Sequence, residues 1–217
     1  GQYGHAILVQ DASLTEITNS SGGTIKVTDS AYVSGAIRID TGWAVNGGSV
    51  NTITNNGLIT ATGTTHSRGI ISIETGTIDR INNTGTIQAQ GGSETNYGIV
   101  FFNDSGTTVT NSGTVQGTGG NSSYGIMLGS NGSISSITNT GTITGGIDGI
   151  GNDGNITNIV NTGTITGTAG YGIHNGDGSI TNLTNSQNNL TYNGKLPTNY
   201  YVKVNSSSSY GKITVSN

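Results

Sequence analysis

The chain has 217 residues, including 38 Gly, one Pro and no Cys, and only 8% of it is charged; an average globular domain carries about 7% Gly and about 25% charge. The lack of Cys excludes a disulfide framework and thiolate metal sites. A net charge of −4 with no basic cluster excludes the counterion-displacing surface that nucleic acid requires.

No apolar run approaches ~18 residues, so no membrane-spanning helix is expected. Gly, Asn, Ser and Thr dominate, but recurrent Ile and Val with little charge argue for order rather than disorder. Gly1 opens directly into repeat-like sequence with no signal peptide ahead of it, so the segment reads as a mature or excised piece. The first 49 residues announce the later pattern loosely, through Tyr3-Gly4, Ile17-Thr-Asn19 and Ala36-Ile37.

From residue 50 a motif Ile-x-Asn-x-Gly-x-Ile takes over. It runs Ile53-Thr-Asn55-Asn-Gly57-Leu-Ile59, then Ile81-Asn-Asn83-Thr-Gly85-Thr-Ile87, then Val109-Thr-Asn111-Ser-Gly113-Thr-Val115. Copies follow at Ile137-Thr-Asn139 and Ile159-Val-Asn161, with a decayed one at Leu183-Thr-Asn185. The Asn residues are spaced 28, 28, 28, 22 and 24 apart, the signature of a repeat architecture. Ahead of each copy stands a second motif: Arg68-Gly69-Ile70, Tyr97-Gly98-Ile99, Tyr124-Gly125-Ile126, Asp148-Gly149-Ile150 and Tyr171-Gly172-Ile173. Length variation is confined to inserts at 61–67, 89–96, 117–123, 145–147 and 167–170. A third element, Asn103, Asn131, Asp153 or Asp177, precedes each repeat Asn by eight residues. It is mostly followed by Gly and predicts a corner with left-handed backbone.

Each repeat therefore reads as three short strands and three corners, in coils of about 22–28 residues. One coil cannot bury its apolar side alone, whereas a stack forms a continuous aliphatic column. The expected architecture is an all-β solenoid over 1–185, with 186–217 forming degenerate terminal coils or a cap. About eight coils at ~4.8 Å per coil give a rod on the order of 40 Å long. The repeat Asn55, Asn83, Asn111, Asn139, Asn161 and Asn185 either form an internal amide ladder or sit at left-handed corners. Six copies of Asn, where Gly or Asp would also suit a corner, favour the ladder.

The Asn-x-Gly-Thr-Ile coils resemble the passenger domains of bacterial autotransporters. The stretch from Leu190-Thr-Tyr-Asn-Gly-Lys-Leu-Pro onward is similar to segments that follow the coil array in large surface autotransporters. The resemblance implies a single-stranded right-handed parallel β-helix located outside the cell or on a bacterial outer-membrane surface. The family's outer-membrane barrel and signal sequence have no counterpart in this segment.

No constellation for catalysis, cofactor or metal emerges. His5, His66 and His174 fall in different motif contexts, and Asn103-Asp104-Ser105-Gly106 resembles a serine-protease motif but falls on a repeat corner. Asp153 and Asp177 hold equivalent corners in successive coils, as a carboxylate pair would, yet Asp at such a corner serves backbone geometry. Their Gly-Asp setting resembles calcium-binding repeats without the nonapeptide period. Tyr97, Tyr124 and Tyr171 share one repeat position and either form an exposed binding stripe or cap the core from within. Thr86, Thr114, Thr142 and Thr164, with Thr60, Gln88, Gln116, Thr144 and Thr166 two residues on, read as a solvent-facing polar sheet. The functional expectation is a non-enzymatic surface adhesin or stalk whose variable corners meet a glycan or protein ligand. The alternatives are a head-to-tail subunit of an extracellular fibre, self-associating end to end, and a polysaccharide-active enzyme using Asp153 and Asp177.

Overall fold

The computed structural model describes residues 3–28, 32–41 and 47–216, so parts of the loosely matching first 49 residues lie outside it. A representative coil consists of strands Thr95–Phe101, Ser105–Asn111 and Thr114–Gly117. The chain then rises so that Ser122–Leu128 pairs in parallel with Thr95–Phe101. Repetition of this path builds three parallel sheets. Sheet A has nine strands, from Tyr3–Gln10 to Ile213–Ser216; sheet B has eight, from Ser13–Asn19 to Asn199–Val202; sheet C has six, from Thr24–Thr28 to Thr164–Gly167. The fold is a parallel β-helix with three strands per coil. Among the described residues no helix is long and apolar enough to cross a membrane.

The period of the sequence becomes the register of the sheets. In sheet B, Ile53, Ile81, Val109, Ile137, Ile159 and Leu183 stack rung on rung, all fully buried. Ile59, Ile87, Val115, Ile143 and Ile165 do the same in sheet C, and Ile37, Ile70, Ile99, Ile126, Ile150 and Ile173 in sheet A. Each buried aliphatic side chain contributes about 1.5–3 kcal/mol. The Gly before Ile in sheet A also faces this core: a Cβ on Gly98 would stand 2.9 Å from Val115 Cγ1 and 2.6 Å from the Gly125 carbonyl. Gly98 and Ile99 thus both point inward, and the in–out alternation of a regular strand breaks there. Tyr97 and Val100, on either side, belong to a second apolar cluster separate from the main core.

Three expectations need correction. Coil length departs from 22–28 residues at both ends: Asn19 and Asn55 pair across 36 residues, and Asn182 and Asn199 across only 17. The corners at Asn103, Asn131, Asp153 and Asp177 contain no left-handed non-glycine residue. Among the described non-glycine residues, positive φ occurs at Asp11 and Glu74. Gly132, Gly154 and Gly178 are needed instead for close stacking, since a Cβ would strike Leu128, the Gly132 carbonyl and Asn152 respectively. The inserts at 89–96 and 117–123 are not projecting loops but turns stacked one on the next. Ser93 N and Glu94 N donate to the carbonyls of Thr64 and Thr65, and Asn121 N and Ser122 N to those of Ser93 and Glu94.

Residues 186–216 continue two sheets and end the third. Leu190–Gly194 and Ile213–Ser216 extend sheet A, and Asn199–Val202 extends sheet B. Sheet C stops at Thr164–Gly167. There the Gln187 side chain stands in for the peptide of an absent strand: Oε1 accepts from Ile165 N at 2.8 Å and Nε2 donates to the Ile165 carbonyl at 3.1 Å. An antiparallel bridge between Val204 and Tyr210 closes the connection that follows.

Candidate ligand-binding face

The repeat Asn residues form one continuous internal ladder. Asn19, Asn55, Asn83, Asn111, Asn139 and Asn161 each donate from Nδ2 to Oδ1 of the next Asn, ending at Asn185, over 2.7–3.0 Å. The same Nδ2 reaches a carbonyl of its own corner and one of the following coil, as Asn111 does with Gly113 at 3.3 Å and Thr142 at 3.1 Å. All seven are buried, so the row serves the fold and offers nothing to a ligand. A shorter ladder missed in the sequence joins Asn152 to Asn175 at 2.7 Å.

The variable inserts are fastened from inside. Ser67 accepts from Gly63 N at 2.8 Å, Asn96 bridges the Gly92 N–H and carbonyl, and the Ser123 hydroxyl donates to the Gly119 carbonyl. These buried residues share one register row, but their differing types hid the row in the sequence.

The outer faces of sheets B and C are self-paired polar surfaces. On sheet C, Gln116 donates to Gln88 at 2.8 Å and Gln88 to Thr60 at 3.1 Å. On sheet B, Asn199 donates to Asn182 and Asn182 to Asn158, both at 2.9 Å.

The outer face of sheet A is different. One register row reads His5, Gly35, Arg68, Tyr97, Tyr124, Asp148; its neighbour reads Leu8, Arg38, Ile71, Val100, Met127, Gly151, His174. Tyr97 and Tyr124 lie on this outside face, with ring centroids 5.6 Å apart. They shelter Val100, which is fully buried although it points away from the main core. Tyr171 is set apart by the Asp148 coil; it packs edge-on to His174 at 6.3 Å, so only two of the three Tyr meet.

The end of this face nearest residue 1 is cationic. Arg38 Nε donates to Asp40 at 2.8 Å, with both side chains largely buried, and its guanidinium lies 5.6 Å from the Tyr3 ring. Arg68 lies 6.0 Å from the Tyr97 ring, forms no ion pair among the described residues, and buries an Nε that has no hydrogen-bond partner. Burial lowers its pKa, and the charge of Arg38 adds to that, yet a guanidinium stays charged. His66, T-stacked on Tyr32 at 4.9 Å, bonds Thr95 at 2.8 Å. Burial and then Arg68 hold its pKa below the usual value, against the pull of Glu94. Beside these residues lies an open recess lined by Tyr3, His5, Leu8, Gln10, Arg38 and Asp40.

Two buried acids are occupied structurally. Asp148 accepts from Tyr171 N at 2.6 Å and stands 3.3 Å from His174 Nδ1. Asp104, of the protease-like tetrapeptide, is buried and accepts from Ile78 N and Ser105 N, while burial lifts its pKa to about 6. Asp153 and Asp177 head equivalent corners before the paired strands Asn155–Asn161 and Ser179–Asn185. No group of three or more His, Asp or Glu suited to a metal occurs among the described residues. No protein-family model, curated protein or solved structure matches the chain.

Proposed function

We propose that the chain is a rigid, non-enzymatic scaffold that acts outside the cell or at a bacterial surface by binding a ligand through the outer face of sheet A. The observation that carries this reading is the contrast between the three outer faces. Two carry rows of paired polar side chains, Gln on Gln and Thr in sheet C and Asn on Asn in sheet B. The third gathers tyrosines, two arginines and an apolar cluster of Ile71, Ile73, Tyr97, Val100, Phe102, Tyr124 and Met127. Clustered aromatic and Arg side chains are the groups that dominate binding energy at interfaces, and Ile73, Phe102, Tyr124 and Met127 leave part of this cluster open to solvent. The stacked coils supply rigidity, so ordering the face on binding costs little conformational entropy. The inserts adjoin this face as pinned turns and act as its rim, and the resemblance to autotransporter passengers supports a surface location.

The test uses beads coated with the full chain, applied to a panel of glycan- and protein-coated surfaces. Tyr124→Ser combined with Met127→Thr alters half-buried positions of the face, and Gln88→Ser combined with Gln116→Ser is the control on sheet C. Adhesion lost in the first variant and kept in the second is the expected result. Adhesion equal in both variants places the contact elsewhere.

A further inference from the structure

Arg68 is placed where the fold does not need a cation. Its neighbours in the row are Gly35 and Tyr97, and the nearby Asp40 is already engaged by Arg38. A half-buried guanidinium with an unpaired Nε is costly unless something completes it. The groups around it do not: Tyr3, Tyr32 and Tyr97 lie within its electrostatic reach without offering a counter-charge, and Arg38 is a like charge. In the same row Gly35 stands between Arg68 and His5, one of the residues lining the recess, with His5 and Ile71 packed closely over it.

We propose that this corner of sheet A binds a carboxylated saccharide of the uronic-acid class, one carboxylate lying on Arg68 and an adjoining sugar ring resting in the recess at Tyr3 and Arg38. The guanidinium fork matches a carboxylate in two parallel bonds. A single uncompensated cation suits one negative charge, whereas a phosphate group would bring more charge than Arg68 alone offsets. A peptide strand finds no purchase, because β-augmentation needs an open sheet edge. Here the strands of Arg68 and Tyr97 are paired on both sides. Sugars need what the recess offers: the exposed ring of Tyr3 beside the amide of Gln10. The inference rests on the reading of sheet A as the binding face and adds the chemistry of what binds.

The experiment is calorimetric titration of the full chain with tetragalacturonate, with the uncharged galactose tetramer and a sulfated dextran oligosaccharide in parallel. Variants are Arg68→Met, Arg68→Lys and, as a control for general charge, Arg80→Gln on the exposed side of sheet B. Melting curves confirm that each variant is folded. The expected result is binding of the uronate at least tenfold tighter than of the neutral tetramer. Arg68→Met weakens it at least tenfold, Arg68→Lys weakens it less, and Arg80→Gln leaves it unchanged. Equal losses in Arg68→Met and Arg80→Gln would overturn the proposal, as would tighter binding of the sulfated probe or no uronate binding at millimolar concentration. If the beads still adhere through Tyr124 and Met127 while Arg68→Met changes nothing, the carboxylate assignment fails and the binding face stands. If the Tyr124 and Met127 variant also adheres normally, the face itself fails.

Discussion

Replacing Asn111 with Ala removes the middle rung of the internal ladder. The amide makes four bonds: it accepts from Asn83 at 2.7 Å and donates to Asn139 at 2.8 Å, Thr142 at 3.1 Å and Gly113 at 3.3 Å. Each bond contributes on the order of 1 kcal/mol net. Asn83 Nδ2 keeps its bonds to Gly85 and Thr114, while the buried Asn139 Oδ1 loses its donor from the ladder. The expected destabilisation is about 4 kcal/mol, a large share of the roughly 5–15 kcal/mol available to a domain. Urea unfolding followed by circular dichroism measures it, and Asn158→Ala on the outer face of sheet B is the reference, expected below about 1 kcal/mol. Because solenoid coils interact with nearest neighbours, hydrogen exchange should accelerate first in the strands flanking position 111. A loss below about 1 kcal/mol for Asn111→Ala, or one equal to that of Asn158→Ala, would show that the ladder adds nothing beyond corner geometry.

Asp104 makes stability depend on pH. Its folded pKa of about 6 lies above the ordinary 3.8, because burial outweighs the backbone donors Ile78 N and Ser105 N that favour the charged form. A raised folded pKa gives a contribution that is full below pH 3.8 and lost as pH rises through 6. Stability should thus fall by up to about 3 kcal/mol between pH 4 and 7. The wild-type minus Asp104→Asn difference in urea midpoints isolates this from His66 and His174, and a difference that is flat over that range refutes it. Gln187→Ala removes three side-chain bonds at the end of sheet C; it should cost about 2–3 kcal/mol and speed exchange at Ile165 N, which unchanged exchange would contradict. Gly98→Ala pushes a methyl group against Val115 and the Gly125 carbonyl and should cost about 1–3 kcal/mol; a thermal melt within a degree of wild type would refute that packing.

What the sequence disclosed follows from what repeats. The ladder Asn, the aliphatic columns and the Gly-Ile row recur because each must match the coil above and below, so their period is visible without coordinates. Ile70-Ile71, Ile99-Val100-Phe101 and Ile126-Met127-Leu128 read only as apolar runs. Periodicity could not divide them, because the inward Gly breaks the alternation by which one face is told from the other. Hence the orientation of Tyr97 and Tyr124 and the outer cluster around Val100 stayed hidden. Arg68 was visible as an occupant of the Tyr position, but its lack of a counter-charge depends on Arg38 having engaged Asp40 within its own strand. The corner row Ser67, Asn96, Ser123 and the single Gln187 do work that no repeated letter advertises.

Comparison of the molecule with itself carries the functional argument further. Stacking alone tolerates like on like, and the outer face of sheet C shows it: Gln116 sits between Gln88 and Thr144, with Thr166 beyond. Exchanging these residues within their rows alters little that the fold uses. Sheet A obeys the same stacking rule inside, with Ile upon Ile, yet its outward row runs from Gly35 to Arg68, then Tyr97 and Tyr124, then Asp148. A thermodynamic reason to vary them is missing: Arg68 leaves a buried donor unpaired, and Met127 and Tyr124 remain half-exposed beside an apolar cluster. Where a repeat gives up its cheapest solution on one face and keeps it on another, the departure marks the face whose residues answer to something outside the chain.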